Sequence, residues 1–138
     1  MDKKSAKDLI ATVVLHPLFQ TLPLDACAEL CQQSLVVKLV DGEVLITEDE
    51  LNHSLFLIVQ GVARVVMNET EVPDMQSGEI IGEISVSGIS PPIASVIAKG
   101  DMEVIIFPSE AIHSLMQAHK EFAKNIKALG AERVYRLP

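Results

Sequence analysis

Aromatic residues are scarce in this chain of 138 residues: they make up 4% of it, with one Tyr, four Phe and no Trp. A binder of single-stranded nucleic acid that stacks bases on interleaved aromatics is thereby excluded. Basic side chains are also few, 11 Lys and Arg against 19 Asp and Glu, for a net charge of −8. No Lys/Arg stripe is present, so a polyanion meets net repulsion and no nucleic-acid partner is expected. The uncharged stretch Ile84–Ala98 is only 15 residues long and contains Ser85, Ser87, Gly88, Ser90, Pro91 and Pro92, so it cannot span a bilayer and no membrane partner is expected. The opening Met-Asp-Lys-Lys-Ser lacks the basic, apolar, then small-residue order of a secretory leader, and a cytoplasmic location is expected. Cysteine is limited to Cys27 and Cys31, four apart on one face of a helical segment beside Leu30, and these read as core. His16, His53, His113 and His119 form no ligand pattern, so no metal site is expected.

What is abundant is aliphatic. Hydrophobic residues reach 49% and mean hydropathy is +0.32, carried by Val, Ile, Leu and Ala, which places the chain with folded domains that bury a core. One compact domain, 1–138, is expected. Its charge is uneven: residues 1–38 are neutral, 99–138 sum to +1, and 39–98 carry ten acids against Arg64 alone, a net −9. On a sheet, most of that negative charge belongs in solvated loops.

The pattern along the chain divides into helical, extended and helical stretches. Ser5 with Asp8 three residues on reads as a capping box before Leu9, Ile10, Val13 and Val14, with His16-Pro17 closing the helix. Pro23 opens a second helix through about Gln33, which completes an N-terminal helical segment, 1–34. From Leu35 the runs become short and β-branched: Leu35–Val40, Glu43–Thr47, Leu55–Val59, Val62–Met67, Gly78–Glu83, Ala94–Ala98 and Met102–Phe107, with acidic loops at 48–52 and 68–74. About eight short strands over 35–107 predict a mainly β fold with flanking helices, an eight-stranded β-roll of jelly-roll type, or double-stranded β-helix. After Pro108 two helices are expected within 108–138, one over Ala111, Ile112, Leu115 and Met116 and one from about Lys120 with Phe122, Ile126 and Leu129 on one face.

Three glycine-bearing stretches are particular: Asp41-Gly42-Glu43-Val44-Leu45, Ser54–Gly61, and Ser77-Gly78-Glu79-Ile80-Ile81-Gly82-Glu83-Ile84. With them the chain resembles the cyclic-nucleotide-binding domain family, the sensor module of catabolite-activator-type transcription factors, of the regulatory subunits of cyclic-AMP-dependent protein kinase and of cyclic-nucleotide-gated channels. The resemblance runs from about His16-Pro17-Leu18-Phe19 to the last helix. It implies a cyclic AMP or cyclic GMP ligand, whose phosphate would sit on the N–H groups after a Gly-Glu pair, here Gly82, Glu83, Ile84 and Ser85, with the Glu83 carboxylate on the ribose hydroxyl. A helix N-terminus suits an anion, because its first N–H groups lack intrahelical partners.

The family pairs the phosphate with an Arg in an Arg-x-Ala-Thr/Ser-Val stretch. Here Pro91-Pro92-Ile93-Ala94-Ser95-Val96 takes that place, so the Arg position is Pro92 and the neighbouring ligand positions are Ile93, Ala94 and Ser95. No Lys or Arg lies between Arg64 and Lys99. Lys99 or a second subunit is left as the source of a replacement cation.

Three functional classes follow. One is a non-catalytic sensor domain that keeps cyclic-nucleotide binding with reduced affinity. The second is a roll that has become a dimerisation or protein-docking scaffold. The third, a metal-dependent cupin-type enzyme, needs converging histidines that the sequence does not supply. A homodimer would use the seam Phe122, Ile126 and Leu129 on the last helix, although Arg133, Arg136 and Gly130 interrupt it and packing on the roll is the alternative. No DNA-binding domain is expected within 1–138, and no cofactor beyond the nucleotide.

Overall fold

The computed structural model describes residues 3–5, 9–50, 54–82 and 94–136, with side chains placed between 9 and 132. In chain order the elements are β1 (Lys3–Ser5), α1 (Ile10–Leu15), a 3-10 turn (Pro17–Phe19), α2 (Leu24–Gln33), β2 (Leu35–Leu39), β3 (Val44–Ile46), β4 (Ser54–Met67), β5 (Thr70–Gln76), β6 (Ile80–Ile81), β7 (Ser95–Pro108), α3 (Ser109–Ala118) and α4 (Lys120–Arg136). Every pairing is antiparallel, in the order β1-β2-β7-β4-β5, with β3 added to β7 and β6 to β4. This is the mainly β roll with flanking helices that the sequence predicts, built from seven strands among the described residues.

The strand count differs because two pairs of expected strands are continuous, while β1 and β5 add two strands outside the expected runs. Leu55–Val59 and Val62–Met67 join as β4, and Ala94–Ala98 and Met102–Phe107 join as β7, each 14 residues long. The bend that lets one strand serve both halves of the roll falls at Gly61, where the β4–β7 register shifts. Gly61 has φ +103°, and a Cβ there would lie 2.5 Å from the Met102 Cβ. Only glycine tolerates both the left-handed φ and that approach.

Successive residues of the inner strands serve two different cores, which explains why their sequences run apolar without alternation. Val36, Leu55, Leu57, Ile80, Ile105 and Phe107 face the helices. Val37, Phe56, Ile58, Ile81, Val104 and Met102 face the roll interior with Ile46, Ala63, Val65, Val96 and Ala98. Against the first face pack the 3-10 turn, α2, α3 and α4. Three of the four Phe residues form its hub: the Phe19 ring lies 5.2 Å from that of Phe107 and 5.8 Å from that of Phe122.

Two local expectations are corrected. The capping box does not form, because Ser5 is in β1 opposite Leu35 and α1 starts at Ile10 with no side-chain cap, while Asp8 lies outside the described residues. The acidic loop expected at 68–74 is largely strand β5, which folds back on β4 through Asn68 and Glu69, both at positive φ. Two consecutive positive-φ residues suit the right-handed twist of a two-residue hairpin.

α2 ends on Ser34, whose Oγ donates to the Leu30 carbonyl at 2.6 Å, and buries Cys27 and Cys31 as free thiols. Burial raises both thiols, with Asp25 adding to the effect at Cys27, and Cys31 is pushed up to about 11. Both are therefore neutral core groups at pH 7, as the sequence indicates. Among the described residues no helix is long and apolar enough to cross a membrane, and no cluster of His, Cys, Asp or Glu could hold a metal ion.

Candidate functional site

The ligand positions implied by the sequence straddle the gap between β6 and β7, and the structure describes its two ends. β6 pairs Ile80 with Leu57 and Ile81 with Phe56, and it closes on Gly82 at φ +93°. β7 begins with Ser95 opposite Val66 and Val96 opposite Val65. Both ends therefore hang on the single strand β4, on either side of its bend at Gly61, and the interior side chains Ile81, Phe56, Val65 and Val96 line the roll between them. Ala94 packs on that interior cluster. Glu83, Ile84, Ser85, Pro92 and Ile93 lie outside the described residues.

Ser95 has a structural task. Its Oγ accepts the Glu48 N–H at 2.9 Å, which ties the loop after β3 to the start of β7. Along β7, Val96 and Ala98 point inward, so Ser95, Ile97 and Lys99 belong to the opposite face. The same alternation settles the two cations of this region. Lys99 Nζ lies 3.0 Å from Asp74 Oδ2, and Arg64, between the inward-facing Ala63 and Val65, lies 3.6 Å from Glu71. Both sit on the outer face, each beside a β5 carboxylate, with their side chains about half exposed or more. Lys99 thus points away from the roll interior, on the side opposite to where the alternative left open by the sequence would use it.

Sequence reasoning passed over His16. Its Nδ1 accepts the Leu18 N–H at 3.1 Å, so the proton sits on Nε2, which donates to the Gly78 carbonyl at 2.8 Å. Gly78 N–H in turn donates to the Ile58 carbonyl at 2.8 Å, and Ile58 N–H to the Glu79 carbonyl at 3.0 Å. One imidazole thereby joins the 3-10 turn to the β5–β6 connection four residues ahead of Gly82. The sequence signal for it was His immediately before Pro17, which holds His16 extended (ψ 133°) and caps the 3-10 turn.

The expected seam of Phe122, Ile126 and Leu129 is used within the chain. Phe122 and Ile126 are fully buried in the helix-facing core and Leu129 packs against it, because α4 lies over the 3-10 turn. The exposed residues of α4 include Lys120, Lys124 and Lys127 together with Glu121, Ala128 and Glu132. A dimer seam on these three apolar residues does not exist in this conformation.

The family model described as "Cyclic nucleotide-binding domain" matches residues 36–119. The chain is 28% identical over 95 residues to the cAMP-dependent protein kinase regulatory subunit of Hypocrea atroviridis, covering 69% of this chain and 21% of that protein. Among solved structures, the sensor domain of the transcriptional regulator DNR from Pseudomonas aeruginosa superposes with a TM-score of 0.81 at 18% identity, covering 95% of this chain and 91% of that one. The regulatory subunit of a cAMP-independent protein kinase A from Trypanosoma brucei gives a TM-score of 0.73 at 19% identity, covering 97% and 48%.

Proposed function

The chain belongs to the cyclic nucleotide-binding domain family, and from that premise we propose that it is a non-catalytic regulatory domain whose hold on the cyclic phosphate has been cut by loss of the arginine, Pro92 standing in its place. The observation that carries this reading is the placement of Arg64 and Lys99. The basic residues that flank the missing position on either side in sequence both lie on the outer face, beside Glu71 and Asp74. A guanidinium donates two parallel charge-assisted bonds to a phosphate, about 1.5–3 kcal/mol each. Losing both weakens cyclic AMP or cyclic GMP by about 10²–10⁴-fold. The net −9 over residues 39–98 acts in the same direction on any anion.

Gly82 and Glu83 retain the other half of the family site, so ribose recognition and backbone N–H contacts at Ile84 and Ser85 would supply the residual affinity. Titration calorimetry with cyclic AMP and cyclic GMP, carried to millimolar ligand at low salt, tests this. Weak saturable binding that disappears in Glu83→Ala is the expected result. The T. brucei neighbour, described as part of a cAMP-independent kinase, favours a second reading, in which the roll is a docking scaffold that takes no nucleotide. Absence of heat at millimolar ligand from folded protein would select it.

A further inference from the structure

Between α2 and α3 runs a groove of about 540 Å³ that lies on the helical side of the molecule, away from the roll interior. Its floor is apolar and low: Ala26 and Leu30, four apart on α2, face Ala111 and Leu115, four apart on α3. Small side chains at Ala26 and Ala111 leave that floor shallowly filled. Its rim is acidic, with Asp25 and Glu29 one turn apart on α2 and Glu110 on α3, all exposed. No Lys or Arg lines it.

We propose that this groove is a docking site for a basic amphipathic helix of a partner protein. Apolar side chains at three- and four-residue spacing would fill the floor, while Lys or Arg on its flanks would meet Asp25, Glu29 and Glu110. The two ten-residue helices give a groove about 15 Å long, which accommodates roughly three turns of such a helix. A second copy of this chain is the poorer occupant. Its α4 offers the lysines Lys120, Lys124 and Lys127, but its apolar row is fully buried in its own core at Phe122 and Ile126, so it brings charge with nothing to fill the floor. This inference is independent of whether a nucleotide binds.

The test uses a fluorescein-labelled 14-residue peptide of Leu and Lys with Leu at helical three/four spacing, and a scrambled peptide of the same composition, read by fluorescence anisotropy. Two double variants carry the same charge change: Glu29→Lys with Glu110→Lys in the groove, and Glu50→Lys with Glu69→Lys, exposed loop positions elsewhere. The groove pair is expected to raise Kd for the patterned peptide at least tenfold, the loop pair less than twofold, and the scrambled peptide to bind at least tenfold more weakly than the patterned one. Equal weakening by both pairs, or equal binding of the scrambled peptide, would reduce the effect to bulk charge and overturn the proposal. Sedimentation showing a self-association abolished by the groove pair would assign the groove to a second copy and overturn it equally.

Discussion

Truncating Phe122 to Ala separates the two uses to which α4 can be put. The ring is fully buried and lies 28° from parallel to Phe19 at 5.8 Å, and Phe19 in turn meets Phe107 at the end of β7. Removing it leaves a cavity at the junction of α4, the 3-10 turn and the sheet, a class of change that costs about 3–5 kcal/mol. For a domain of this size that lowers the thermal midpoint by roughly 10–20 °C. Lys124→Ala, on the exposed side of the same helix, changes stability by less than about 0.5 kcal/mol. The assay is urea and thermal denaturation followed by far-UV circular dichroism, with mass by light scattering on the same samples. A Phe122→Ala protein that melts like wild type but has half its mass would refute the packing argument and restore the intersubunit seam.

Gly61→Ala places a Cβ 2.5 Å from the Met102 Cβ at φ +103° and should cost about 2–4 kcal/mol in urea denaturation, whereas Gly42→Ala, with open space around its Cβ position, should cost less. His16→Ala removes the bonds to Leu18 and Gly78 and should lower stability by about 1–2 kcal/mol, with faster amide hydrogen exchange at Gly78 and Ile58; unchanged exchange there would sever the link between the 3-10 turn and the β5–β6 connection. The raised Cys31 thiol binds its proton more tightly in the folded state than in the unfolded chain. Stability is therefore fully present below its ordinary value of 9.0 and declines as pH rises toward about 11, and Cys31→Ala should flatten that decline.

The family was legible because its glycines mark backbone conformations rather than packing: Gly42, Gly61, Gly78 and Gly82 all have positive φ. The helices were legible from three/four periodicity, α2 and α3 within a residue or two. β5 was not. Its two buried or half-buried apolar residues, Val72 and Met75, are three apart because the β4–β5 register shifts between Ala63 and Val65, and Pro73 and Asp74 between them hide any alternation. The fusion of strands into β4 and β7 escaped for a related reason, since Gly61 reads as a turn in sequence but lies within the continuous strand β4, and residues 99–101 continue β7 without a break. At the site, the proposed loss of the arginine rests on the sequence position of Pro92, which lies outside the described residues. The outward placement of Lys99 and the bridging task of His16 depend on strand parity and on a contact 62 residues distant along the chain, neither of which a local pattern encodes.

The most direct test of the weakened phosphate site is calorimetry of cyclic AMP binding to the wild-type chain and to Pro92→Arg, in the same low-salt buffer. Restoring the guanidinium should strengthen binding by about 10²-fold or more. Wild-type affinity equal to that of Pro92→Arg would contradict the account, because it would mean that the cyclic phosphate is held as well without the arginine as with it.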